Sequence, residues 1–503
     1  MSLKTLQELT QIVTKNKLRS IELVQSSSGD SKIAALYEWL LANRSATDEE
    51  AAQHFYQSDK QHSGYQKLKN TLKTRLINSL FFIDVKHPAY NERKRAYYEC
   101  YKDWAAAKIL MSRNAKTTGI ELSFKILKQA KLYEFTELNL DIYRMLRLYY
   151  GSIEGDLKKF EQYNALFKYC EQVWQQENLA EELYTSLVVN YVNARATKET
   201  IHQQAKAYYT QLIPALHKYN TYQLQLCGLL TQLLVYSSTN DYEGTVRVCK
   251  DGIERFSAKA YDADVPLQAC YHQLLVSYTQ LRRYSAGRQA AEECLRRSLE
   301  GSFNWFKYQE LYFLLGMHTR EYQAVYDIAK TAMAHSSYKF LPPQMLETWQ
   351  INQAYLYYLA AIQKIDILPT DPMAKTFKLS KFLNEIAIFS KDKQGMNIPI
   401  VIIQVLFMIL QKKYDLAIDR MEAIEKYCVR HLSDEDNIRS NYFIRMLLQI
   451  PAASFCRNQV IQRAQKYMEG LQQHPIDLAN QAHEIEIIPY EDLWAFVLGT
   501  LPG

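Results

Sequence analysis

At 503 residues the chain is longer than one ordinary core, since domains usually run ~100–200 residues, so several domains or a repeat array are expected. Its 15 glycines and 12 prolines are each less than half of the usual ~7% and ~5%, which leaves too few turn positions for a sheet protein of this size. The net charge is +6, and one short segment holds essentially all of it.

Gln, Leu, Lys, Glu and Ala dominate the long segments, and these side chains lose little rotamer freedom in a helix, so the fold is read as all-α. The eight cysteines form no CxxC pair, which argues against thiolate zinc sites. Cysteines among apolar helix positions behave as small buried hydrophobes in a reducing compartment. Met1 to Val13 alternates polar and apolar residues without an apolar core of signal-peptide length, so a cytoplasmic location is expected. The most apolar stretch, Ile398 to Leu410, has thirteen residues; it falls short of the ~18–20 that cross a bilayer and reads as a buried helix.

In chain order, Lys32 to Ala42 is the first predicted helix, with Leu36, Trp39 and Leu40 inward. Thr47-Asp48-Glu49-Glu50 is a capping box that opens a short helix to about Tyr56. Leu68, Leu72, Leu76 and Leu80 then line one face of a helix from about Gly64 to Phe82. Between Lys60 and Arg95 nine cations (Lys60, Lys67, Lys69, Lys73, Arg75, Lys86, Arg93, Lys94 and Arg95) face two acids, a net +7, and the rest of the chain sums to −1. These charges are either the solvated face of a structural cap or a surface for nucleic acid, as in a helix-turn-helix whose second helix neutralises phosphates. The connection Gln57 to Ser63 is longer than the ~3–4 residues of that motif.

From about Arg93 the chain divides into helices of roughly 15–22 residues with apolar spacings of three and four. In the run Leu187 to Arg195, Asn190 and Asn193 share a helix face. Their amides either satisfy neighbouring helix ends or meet the backbone of an extended peptide while Arg195 takes a carboxylate. Further on, one pattern opens alternate helices: Asp241-Tyr242, Arg283-Tyr284, Glu321-Tyr322 and Lys413-Tyr414, each a polar residue, a Tyr and then a helix. Successive tyrosines stand 42, 38 and 92 residues apart, the last interval leaving room for one extra unit.

This pattern resembles the tetratricopeptide repeat (TPR), whose second helix follows a short turn with an aromatic residue and alanines, at a usual period of ~34 residues. The units here are longer, and Leu314-Leu315-Gly316 is the nearest fragment to the first-helix signature of that family. The resemblance implies a helical-hairpin solenoid (TPR-like superhelix) with nearest-neighbour contacts and a concave binding face. Residues 1–92 form a separate basic helical module, similar in arrangement to the start of some uncharacterised bacterial TPR-like proteins. Residues 93–340 are TPR-like repeats, and residues 341–503 are further repeats and capping helices. Pro342-Pro343 and Leu368 to Pro372 interrupt the array around a helix from Gln344 to Ile365.

HExxH, GxGxxG, GxxxxGK and GxSxG are all missing, and no histidine pair has metal-ligand spacing on one helix. The expected function is a non-catalytic scaffold that holds a protein or peptide on a face rich in the chain's 38 tyrosines, with no cofactor, metal or membrane contact. The alternative is a regulator whose basic module (Lys60, Lys67, Lys69, Lys73, Arg75, Arg93, Lys94, Arg95) contacts nucleic acid while the solenoid senses a peptide or protein.

Overall fold

The computed structural model describes residues 3–15, 31–43, 45–82, 91–192, 197–367, 397–421, 438–474, 476 and 486–502. Among these there are twenty-one α-helices and no strand, as the composition requires. The chain divides into two compact units, Met1–Glu171 and Gln172–Gly503.

The first unit opens with α1 (Leu3–Lys15), α2 (Ser31–Ala42), α3 (Asp48–Tyr56) and α4 (Ser63–Ser79), which share a core built on Leu6, Leu36, Leu40, Tyr65, Leu72 and Leu76. The capping box forms as its sequence predicts: Glu50 N donates to Thr47 Oγ1, and Thr47 N donates to the Glu50 carboxylate. Asp48, the next residue, accepts from Leu3 N (2.9 Å), Tyr65 Oη (2.8 Å) and Lys69 Nζ (2.5 Å). Burial pushes the Asp48 carboxyl up, but these three hydrogen bonds outweigh it and hold the group below its ordinary range. Next come α5 (Glu92–Ser112), α6 (Lys116–Leu132) and α7 (Thr136–Tyr149), each packed on its neighbour.

The second unit takes in the later part of α8 (Leu157–Val192) and then α9 (Lys198–Lys218), α10 (Tyr222–Ser237), α11 (Tyr242–Ser257), α12 (Asp264–Gln280), α13 (Tyr284–Arg296), α14 (Phe303–His318) and α15 (Tyr322–Ala334). Tyr242, Tyr284 and Tyr322 are the first residues of α11, α13 and α15, and residues 414–421 are helical from Tyr414. The reason lies two residues earlier. Asn240, Arg282, Arg320 and Lys412 all have positive φ (57°, 51°, 65° and 56°). In each case the following N–H reaches back five residues: Asp241 to Tyr236 O, Arg283 to Tyr278 O, Glu321 to Gly316 O and Lys413 to Met408 O, all at 2.9–3.0 Å. This is the Schellman closure of one helix, with its final residue serving as the cap of the next. The same turn recurs at Asn114 and Glu134 in the first unit.

α10 packs on α11, α11 on α12, α12 on α13, α13 on α14 and α14 on α15, and the first helices α12 and α14 also touch directly. A Cβ on Gly316 would stand 2.3 Å from Val325 Cγ2, so only glycine lets α14 approach α15 this closely. The seven described free cysteines are buried or half-buried, and none is in a disulfide.

Past α15 the pattern changes. α16 (Pro343–Ala361) begins at the proline pair, since Pro343 in the first helical turn forgoes no helical hydrogen bond. It stops four residues short of the expected Ile365, where Gln363 turns left-handed and Lys364 N reaches Leu359 O. Residues 368–372, the second expected interruption, lie outside the described residues. The apolar stretch forms α17 (Asn397–Leu410), with Ile403 and Val405 fully buried. α18 (Ile438–Leu447), α19 (Gln449–Ala452), α20 (Arg457–Gln473) and α21 (Tyr490–Thr500) follow.

Nearest-neighbour contact, expected throughout, does not hold here. α21 touches α17, α18 and α20; Arg320 donates twice to Asp492, and the Tyr322 and Phe496 rings meet edge to face at 5.9 Å. The buried His318 donates from Nε2 to Glu486 O (2.6 Å). Arg439 binds Glu486 and Glu491 together and also donates to Leu471 O and His474 O. Tyrosine is a core residue in both units, with Tyr65, Tyr355 and Tyr358 all at or below 2% exposure.

Candidate functional site

On α12 the residues Val265, Gln268, Ala269, His272 and Gln273 recur at three- and four-residue spacing and so share one face of the helix. Leu230, Leu233, Leu234 and Ser237 do the same on α10. With Tyr184 from α8 and Tyr308 from α14, these two faces enclose a groove of about 420 Å³. Its walls are the first helices of successive hairpins, since the short Schellman turns send every second helix to the other side. The volume falls in the ~300–1,000 Å³ range of sites that take a ligand.

The floor of the groove is leucine, and its polar groups are amides, hydroxyls and one imidazole. No lining residue has a formal charge at neutral pH. Burial lowers the His272 pKa and keeps its ring neutral; the ring meets Tyr308 edge to face at 5.9 Å. Burial raises Tyr184 and pushes the Tyr308 phenol up to about 12, so both hydroxyls stay protonated. Gln268 Nε2 donates to Ser298 Oγ (3.2 Å), which orients that amide on the wall. At the rim, the charges beside Val265 engage one another: Arg297 Nη1 donates to Asp264 (2.9 Å) and Asp262 (3.3 Å).

A second, smaller cavity of about 280 Å³ lies where α12 and α14 end, lined in part by Arg282, His318 and Glu491. Among the described residues, no group of three His, Cys, Asp or Glu side chains is placed to hold a metal ion. Nor is any described helix long and apolar enough to cross a membrane.

The residues singled out from sequence fall elsewhere. Asn190 is half-buried on α8 and is not among the residues lining the groove; Asn193 and Arg195 lie outside the described residues. Among the cations, Lys69 is the clear correction. Its side chain is 1% exposed and bound to Asp48, so it is a core ion pair rather than part of a surface patch. Lys60 pairs with Glu49 at 2.6 Å. Arg93 donates to Tyr133 O and lies over the Phe135 ring. Lys67 and Lys94 are exposed, Lys73, Arg75 and Arg95 are half-buried, and Lys86 lies outside the described residues. The groove itself had a faint signal in the sequence: Gln268 and His272, four residues apart, interrupt a largely apolar stretch of α12.

No protein-family model, curated protein or solved structure matches the chain.

Proposed function

We propose that the chain is a non-catalytic scaffold that binds a protein or peptide segment in the groove between α10 and α12. One observation carries this reading: a concave, leucine-floored site with two tyrosines and a row of amides, built from the first helices of consecutive hairpins. Such helices are the binding face of stacked-hairpin proteins. The left-handed turn followed by an aromatic residue, found at four hairpins of the second unit, supports a TPR-like kinship. A reducing, cytoplasmic setting suits seven cysteines that form no disulfide.

The alternative, a nucleic-acid contact through the basic module, draws less support. Lys60, Lys69 and Arg93 are already engaged within the first unit, which removes three of the charges a phosphate-binding patch would use.

The test is selection of displayed random peptides on the immobilised full chain, followed by affinity measurement against Ala269→Arg. That substitution places a long side chain in the groove from a half-buried wall position. Selected peptides are expected to lose at least tenfold in affinity; unchanged binding would place the site elsewhere.

A further inference from the structure

We propose that the occupant of this groove is an uncharged, apolar stretch of extended polypeptide, taken from within a chain rather than from its charged terminus. The inference rests on the scaffold reading and goes on to specify what the scaffold recognises.

Charge is the first argument. A terminal carboxylate, or an acidic or basic anchor, gives up its hydration on entering a concave site and needs a counter-charge there. The groove offers none. Its one ionisable base, His272, is kept neutral by burial, and Arg297, whose partner Asp264 adjoins Val265 at the rim, is held between Asp262 and Asp264. Leu230, Leu233 and Leu234 instead present a floor suited to aliphatic or aromatic side chains.

Geometry is the second. A bound helix has already satisfied its own backbone and would leave the wall amides without a task, whereas an extended segment brings unpaired N–H and C=O groups. Gln268 and His272 are four residues apart on α12, a rise of about 6 Å along the axis and a turn of only about 40° around it. Equivalent backbone groups on one edge of an extended chain repeat every two residues, about 6.7 Å. These two polar side chains therefore match successive backbone contacts of one strand, with the side chains of the segment turned to Leu230, Leu233 and Leu234.

The experiment extends the peptide selection. Peptides enriched on the full chain are synthesised with a free and with an amidated carboxyl end, and with Lys or Glu in place of each apolar anchor. Every form is measured against the chain, Ala269→Arg and Val265→Arg, the last at a 55% exposed rim position where folding is undisturbed. The expected result is affinity within about threefold for the two carboxyl forms and between low and moderate salt. A loss of thirtyfold or more is expected when an anchor becomes charged, and of tenfold or more on either groove variant. Peptides that need a free carboxylate or a charged anchor, yet are lost on the groove variants, would overturn the inference and leave the scaffold reading standing. Peptides indifferent to both variants, or no enrichment at all, would count against both.

Discussion

Between Tyr222 and Arg296 the helices pack chiefly against helices one or two places along the chain. Beyond Pro343, residues 486–502 reach back across as many as 172 residues to α14 and α15. The difference follows from what each region must cover. A hairpin within the stack has a neighbour on either side, and local contact suffices. The start of α15 is met in addition by a helix from far downstream, pinned by Arg439 between Glu486 and Glu491 and by the Arg320–Asp492 pair. Ion pairs in the first region, such as Arg283–Glu243 and Arg297–Asp264, join neighbouring hairpins, whereas Arg320–Asp492 in the second joins segments 172 residues apart.

That contrast breaks most visibly at Arg439. Truncation to Ala leaves the Glu486 carboxylate, 1% exposed, without its cation, and removing one partner of a buried pair costs ~3–5 kcal/mol. Urea unfolding of Arg439→Ala should show a loss of that size, partly restored when Glu486→Gln is added. A loss under about 1 kcal/mol would mean that the closure contributes little.

The next effect is set by pH. Burial lowers the His318 pKa to about 4, against the ordinary 6.5. The folded chain therefore favours the neutral ring: stability from this group is complete above pH 6.5 and is lost as pH falls through about 4. Over that span the loss amounts to about 3 kcal/mol. The stability difference between the chain and His318→Gln, followed from pH 7 to 4, should narrow by this amount; a constant difference would remove His318 from the closure.

The hairpin turns give the smallest effect, and one of opposite sign. Arginine in the left-handed region is strained by its Cβ, so Arg282→Gly should stabilise by about 0.5–1 kcal/mol even after the entropy that glycine loses. Asn240→Gly should change little, since asparagine tolerates that conformation. Native-state hydrogen exchange should confine the Arg282→Gly gain to α12 and α13; a gain spread to α21 would mean that the local and long-range regions are coupled.

What could be read from the sequence follows the same division. Thr47 with Glu50, the leucines of α4 and the tyrosines that open α11, α13 and α15 all act within a few residues, and each leaves a local trace. Lys69 was misplaced because a lysine flanked by Lys67 and Lys73 looks like surface, although it stands four residues after Tyr65 and shares its buried side. The groove left only a faint trace, because Gln268, His272 and Gln273 come to line one site with Leu230 and Tyr308 only once three hairpins are stacked. The bond from His318 to Glu486 spans 168 residues, and no periodicity records it.

The reach of α21 also has a consequence in time. Ribosomes add ~5–20 residues each second, so α14 and α15 exist for roughly ten to thirty seconds before residues 486–502 are made. The hairpins from α10 onward, and α16 against α15, can close as they emerge, while Arg320 and Tyr322 wait that interval for Asp492 and Phe496. In the nascent chain the stack of neighbouring hairpins therefore forms first and the long-range closure last.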